Sequence, residues 1–228
     1  MSASATLWSL AQWAVANLFV LGLTAHVWSR VRVGSRHVDP LVFCFLFLFL
    51  TTAVVMLCGL AGVLHPTPIW IASAIGCAAL AWSARGEIRA FSKEALERLG
   101  RARRGFRRPD GIDLLFAVAG LAVAVRIAVH VWYLPPYVWD TLSYHLPKVA
   151  EWVQNHRLVT FETAVDRTFW PANFELFETW FVLFFHHDFL VDLAAVPFYL
   201  LGCASVYAIA RLVGLDRRWG TAAAFIYD

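Results

Sequence analysis

Long apolar stretches alternate with short polar or proline-marked segments along the chain, and most approach the roughly 20 residues that a helix needs to cross a bilayer. Residues 7–28, 41–64, 111–134 and 189–210 are predicted as spanning helices, with 69–84 as a shorter one, which makes five. His65, Pro66, Thr67 and Pro68 mark a tight turn between the second and third. A bilayer offers no water to unpaired backbone groups, so each span must satisfy its own amides, and the predicted fold is all-α and polytopic. Past Trp219 another apolar run begins and reaches Asp228 before it is long enough to cross. It is read as the start of a sixth span, which makes the chain the expected front portion of a longer protein.

Two weaker patterns lie between the last complete spans. After Asp140, the residues Leu142, Leu146, Val149 and Val153 recur at helical spacing, with Lys148, Glu151 and Gln154 on other faces, as in a helix lying at a membrane interface. Pro147 kinks that helix or marks its first turn. Residues 174–187 form a second apolar run, which as a helix measures about 21 Å against a hydrocarbon core of about 30 Å. It also carries Glu175 and Glu178, so it is expected beside the membrane or dipping into its outer interface.

Charge then orients the spans. Residues 30–40 and 85–109 are basic connections, and the longer holds Arg85, Arg89, Lys93, Arg98, Arg101, Arg103, Arg104, Arg107 and Arg108 against Glu87, Glu94 and Glu97. Next to spans, such runs face anionic lipid on the cytoplasmic side rather than nucleic acid. Residues 92–99 form an expected amphipathic surface helix within it. The parity of the first four spans then puts the N-terminus and residues 135–188 outside the cytoplasm. The first run lacks a basic start and a convincing cleavage site, so no cleavable signal peptide is implied.

Composition supports this class: 60% of residues are hydrophobic and 15% charged, which excludes a water-soluble globular domain. Cys44, Cys58, Cys77 and Cys203 all fall within apolar runs without ligand spacing, and read as packing residues. Two segments are expected: a three-span extension with its basic loop over 1–110, and a second membrane segment over 111–228.

Chemistry concentrates at the stretch PPYVWDTLSYHLP, residues 135–147, where Asp140 follows the end of a span. An acid at the start of a helix is favoured as the carboxylate, either as a cap or as a proton acceptor. Arg126 lies about 12 Å below the end of the 111–134 helix, with His130 one turn on along the same face. Arginine at that depth is costly and marks either a functional contact or a side chain reaching outward to the interface. Lys148 and Arg167 are candidates to meet a phosphate from the lipid side, with ordinary headgroup contact the alternative. His186, His187 and Asp188 are adjacent and point apart, a poor metal set. No Walker loop, GxGxxG, GxSxG or HExxH motif occurs.

The run WDTLSYHLPKVAEWVQNHRL, residues 139–158, resembles the first extracytoplasmic loop of bacterial membrane glycosyltransferases of the C-type superfamily. That group includes protein O-mannosyltransferases and the lipid A aminoarabinose transferase. An arginine-bearing span before the acid, an amphipathic helix after it, a second helix after Trp170 and Pro171, and a span ending in the basic segment 210–219 fit the same pattern. The three preceding spans and their LHPTPIW turn resemble an N-terminal extension in one bacterial branch, so the looser correspondence covers nearly the whole chain.

The resemblance implies a GT-C-like fold in the bacterial inner membrane and transfer of a sugar from a polyprenyl-phosphate donor, with inversion, to a glycan, lipid or protein acceptor outside the cytoplasm. Asp140 matches the loop acid that serves as general base or helps bind a divalent metal. Many relatives carry a second acid next, where this chain has Thr141, and one carboxylate is a poor divalent site, which favours the base role. Tyr144 and His145 are candidates to orient the acid or acceptor, with packing the alternative for both; Arg126, Lys148 and Arg167 complete the candidate substrate contacts. Two other classes stay open: a transporter or lipid-binding subunit using Asp140 and Arg126 along a substrate path, and a structural membrane protein.

Overall fold

A computed structural model describes residues 3–35, 37–83, 86, 89, 92–93, 96–97, 100, 111–134, 141–160, 172–185 and 190–226. The described residues are all helix, turn and coil, as the apolar pattern predicts. In order they form α1 (Ala3–Val31), α2 (Asp39–Leu60), α3 (Pro66–Ser83), α4 (Gly111–Tyr133), a π-helical turn (Thr141–His145), α5 (Leu146–Asn155), α6 (Asn173–Val182), a 3₁₀ turn (Val191–Ala194), α7 (Ala195–Leu212) and α8 (Arg217–Ile226). Four stretches are long and apolar enough to cross a membrane: Ser4–Val31, Asp39–Leu60, Gly111–Tyr133 and Val191–Leu212.

The third expected span forms α3. At 18 residues it measures about 27 Å. It lies along α1, where Gly76 leaves room for the Phe19 ring and Trp8 meets Trp70 edge to face at 5.4 Å. The outward faces of the long helices stay apolar: Phe45, Phe49, Leu115 and Leu121 are all exposed. Apolar exposure on this scale suits lipid rather than water.

Short polar devices set the connections. Asp39, at the head of α2, is buried and accepts hydrogen bonds through Oδ1 from the Val33 and Gly34 amides at 2.9 and 3.1 Å. Gly34 has φ +82°, a left-handed conformation that a side chain would strain. The Trp28 indole donates to the Asp39 carbonyl at 3.0 Å, so the α1–α2 connection folds around one acid. At the other end of α2, the Leu158 amide donates to the Gly59 carbonyl at 3.0 Å and the Leu64 amide to the His156 carbonyl at 2.9 Å. These two bonds tie the α2–α3 turn to the segment following α5.

One apolar core joins residues on both sides of position 110. Ala16, Val20, Leu48 and Val55 pack with Trp152, Phe177, Trp180 and Phe185. The centre of this core is α6. Within the protein α6 is enclosed, with Glu175, Leu176, Phe177, Glu178, Thr179, Trp180 and Phe181 all buried. Its aromatic side chains pack into the apolar core, and Lys148 compensates the buried charge of Glu175.

Helical spacing sets Lys148 off the apolar stripe and Leu142 on it, yet Lys148 is 1% exposed and Leu142 54%, because Lys148 meets Glu175 of α6. Val149 and Val153 do face inward, and Pro147 stands in the first turn of α5, where its missing N–H costs no helical bond.

Candidate functional site

The π-helical turn and α5 bring three of the predicted side chains together. Tyr144 is buried, its ring lies 4.2 Å from that of His145, and Lys148 Nζ sits 5.7 Å from its centroid. Both His145 and Lys148 face one carboxylate oxygen on α6. Glu175 Oε1 accepts from Lys148 Nζ at 2.9 Å and lies 3.0 Å from His145 Nδ1. A buried ammonium and a buried carboxylate compensate each other's lost hydration only when they meet this closely. The Thr179 hydroxyl, one turn further, donates to the Glu175 carbonyl at 2.7 Å.

Glu178 follows Glu175 on α6 and is 5% exposed. Its Oε2 is buried without a hydrogen-bond partner. Burial first, then the charges of Glu175 and Asp192, push its carboxyl up to about 8. Glu178 is therefore mostly protonated at neutral pH. Asp192, in the 3₁₀ turn, in turn lies 3.7 Å from His130 Nδ1 on α4.

Arg126 stands apart from the Tyr144–His145–Lys148 group. With His130, Asp192 and Tyr199 it lines a cleft of about 310 Å³ between α4 and the start of α7. Among the described residues none makes a hydrogen bond or ion pair with Arg126. The cleft shares Val123, Ile127 and Tyr199 with a second cavity of about 420 Å³, almost wholly apolar, that continues between α4, α7 and α8. Phe116 of α4 stacks on Phe225 of α8 at 5.4 Å along that path.

Asp140 and Arg167 lie outside the described residues, as do His186, His187 and Asp188. Thr141, next to Asp140, opens the turn that leads to His145. The sequence reading missed Glu175, Glu178 and Asp192 as partners. Two glutamates three residues apart in an aromatic run were the available signal, since acids in such surroundings are rare without a compensating group.

Among the described residues no group of three His, Cys, Asp or Glu is placed to ligate an ion, and Asp140, through which the resemblance implies a divalent metal, lies outside them. No family model, no curated protein and no solved structure matches the chain. Its class therefore rests on its own features: among the described residues, an all-helical fold with four helices long and apolar enough to cross a membrane and a buried charged cluster between α5 and α6.

Proposed function

We propose that the protein takes part in transferring a glycosyl group from a polyprenyl-phosphate-linked sugar to an acceptor hydroxyl on the extracytoplasmic side of the bacterial inner membrane. Asp140 is the general base. It removes the hydroxyl proton as the acceptor oxygen bonds to the anomeric carbon from the face opposite the departing phosphate. The carbon–oxygen bond to the phosphate breaks, polyprenyl phosphate leaves, and the configuration inverts.

One observation carries this reading beyond the sequence resemblance: the turn that begins right after Asp140 is anchored one helical turn later, where His145 and Lys148 meet Glu175. A base must be held in place to act, and the cluster gives the chain that follows Asp140 in sequence a fixed attachment to α6. Arg167 is the candidate to meet the donor phosphate. Transfer from polyprenyl-phosphate sugars by the membrane-reconstituted protein, with Asp140→Asn beside wild type, tests the proposal. A positioned base is worth about 10²–10⁴ in rate, and unimpaired transfer by the variant removes Asp140 from the mechanism.

A transporter is the second reading, favoured by Glu178, a buried acid that holds a proton at neutral pH within reach of the charge of Asp192, which in turn contacts His130. Proton-coupled uptake into proteoliposomes that is lost in Glu178→Gln, together with full sugar transfer by Asp140→Asn, decides for it.

A further inference from the structure

The cleft at Arg126 and the apolar cavity behind it form one continuous surface, because both are lined by Val123, Ile127 and Tyr199. The polar end presents two opposite charges. Arg126 supplies a guanidinium with no partner among the described residues, and Asp192 supplies a carboxylate, 27% exposed and flanked by His130 at 3.7 Å. The other end is a trough between α4, α7 and α8, bordered by small residues such as Ala124, Ala204 and Ala224. From Tyr199 to Tyr207 it follows α7 for about 12 Å, room for one hydrocarbon chain of comparable extended length.

We infer that this cleft binds a zwitterionic amino-phospholipid of the surrounding bilayer, with its phosphate on Arg126, its ammonium on Asp192 and one acyl chain in the trough. Charge complementarity selects this occupant. Guanidinium binds phosphate through paired hydrogen bonds, and a carboxylate accepts from a primary ammonium. An anionic headgroup satisfies Arg126 but sets its negative charge against Asp192. A quaternary ammonium has no N–H to give Asp192. The apolar trough excludes a free headgroup as the sole occupant, since its walls gain by covering with hydrocarbon. The inference reassigns Arg126, which the sequence resemblance puts among the substrate contacts, to a bilayer lipid; it uses neither Asp140 nor Arg167 and stands whether or not sugar transfer occurs.

The test is photolabelling of the reconstituted protein by phosphatidylethanolamine carrying a diazirine in one acyl chain, at trace level in phosphatidylglycerol bilayers, with labelled peptides mapped by mass spectrometry. Labelling is expected to concentrate on Ala195–Leu212 and Arg217–Ile226, and to be displaced by unlabelled phosphatidylethanolamine but not by glycerophosphoethanolamine. Arg126→Gln should cut it about tenfold, the loss expected for a hydrogen bond to a charged group. Ala204→Phe, which fills the trough and leaves the headgroup contacts alone, should abolish it. Asp192→Asn should make phosphatidylethanolamine and phosphatidylglycerol probes label equally. Uniform labelling of all lipid-facing helices, equal labelling by the two probes in the wild type, or displacement by the free headgroup overturns the inference. Should Arg126→Gln fail to fold, the wild-type probe comparison and Ala204→Phe decide alone.

Discussion

Lys148 and Glu175, 27 positions apart in sequence, meet at 2.9 Å with their side chains 1% and 2% exposed. This contact locks the helix that follows Asp140 to the most enclosed helix of the fold. Removing one member leaves the other as an uncompensated buried charge, at a cost of about 3–5 kcal/mol. Lys148→Met and Glu175→Leu should therefore each lower the thermal unfolding midpoint sharply, while the double variant regains most of the loss. A double variant as unstable as the sum of the two would show that the charges do not act as a pair.

Glu178 makes stability depend on pH. Its folded-state value of about 8 lies above the ordinary 4.5, so the folded protein binds a proton that the unfolded chain releases between those values. The contribution is thus complete below about pH 4.5 and is lost as pH rises through about 8, by up to about 1.4 kcal/mol per unit. Denaturant unfolding at pH 5.5 and 8 should show wild type losing more stability than Glu178→Gln. Equal losses would place the carboxyl in its ordinary range.

Gly59 has no room for a side chain. A methyl group there would stand 2.5 Å from Leu158 Cγ, and the Leu158 amide is held by the Gly59 carbonyl, so the leucine has little freedom to withdraw. Gly59→Ala should destabilise by about 1–3 kcal/mol, as overpacking does, and Leu158→Ala in the same chain should relieve it. Thermal unfolding of the three variants checks this.

Thr141 tests the expected topology. A cysteine placed there should react with membrane-impermeant maleimide added to the outside of intact cells. Labelling only after the cytoplasmic face is opened would reverse the orientation.

The long helices were legible because nothing but length and apolarity was needed to define them. Arg126 and His130 share a cleft as their one-turn spacing implies, since both project from one face of α4. Lys148 was not legible as a buried residue. Its fate depends on Glu175, which approaches from another helix, and no local pattern encodes that meeting. The two α6 glutamates suggested water for the same reason: read alone, each carries its full desolvation cost. Asp39 was hidden inside a basic connection, where the charge total obscured an acid that organises the Val33 and Gly34 amides.

The indole of Trp180 donates to Asn17 at 3.3 Å, and Trp13 lies 5.9 and 6.2 Å from the rings of Phe181 and Phe185. The first helix is thus a wall of the chamber around α6, not an appendage to it. Shortening the protein from its front would bare an aromatic surface shaped for α1, and the defect would reach Glu175 and Lys148 without touching a residue near Asp140. Any trimmed version meant to keep α6 folded should therefore keep α1 through α3.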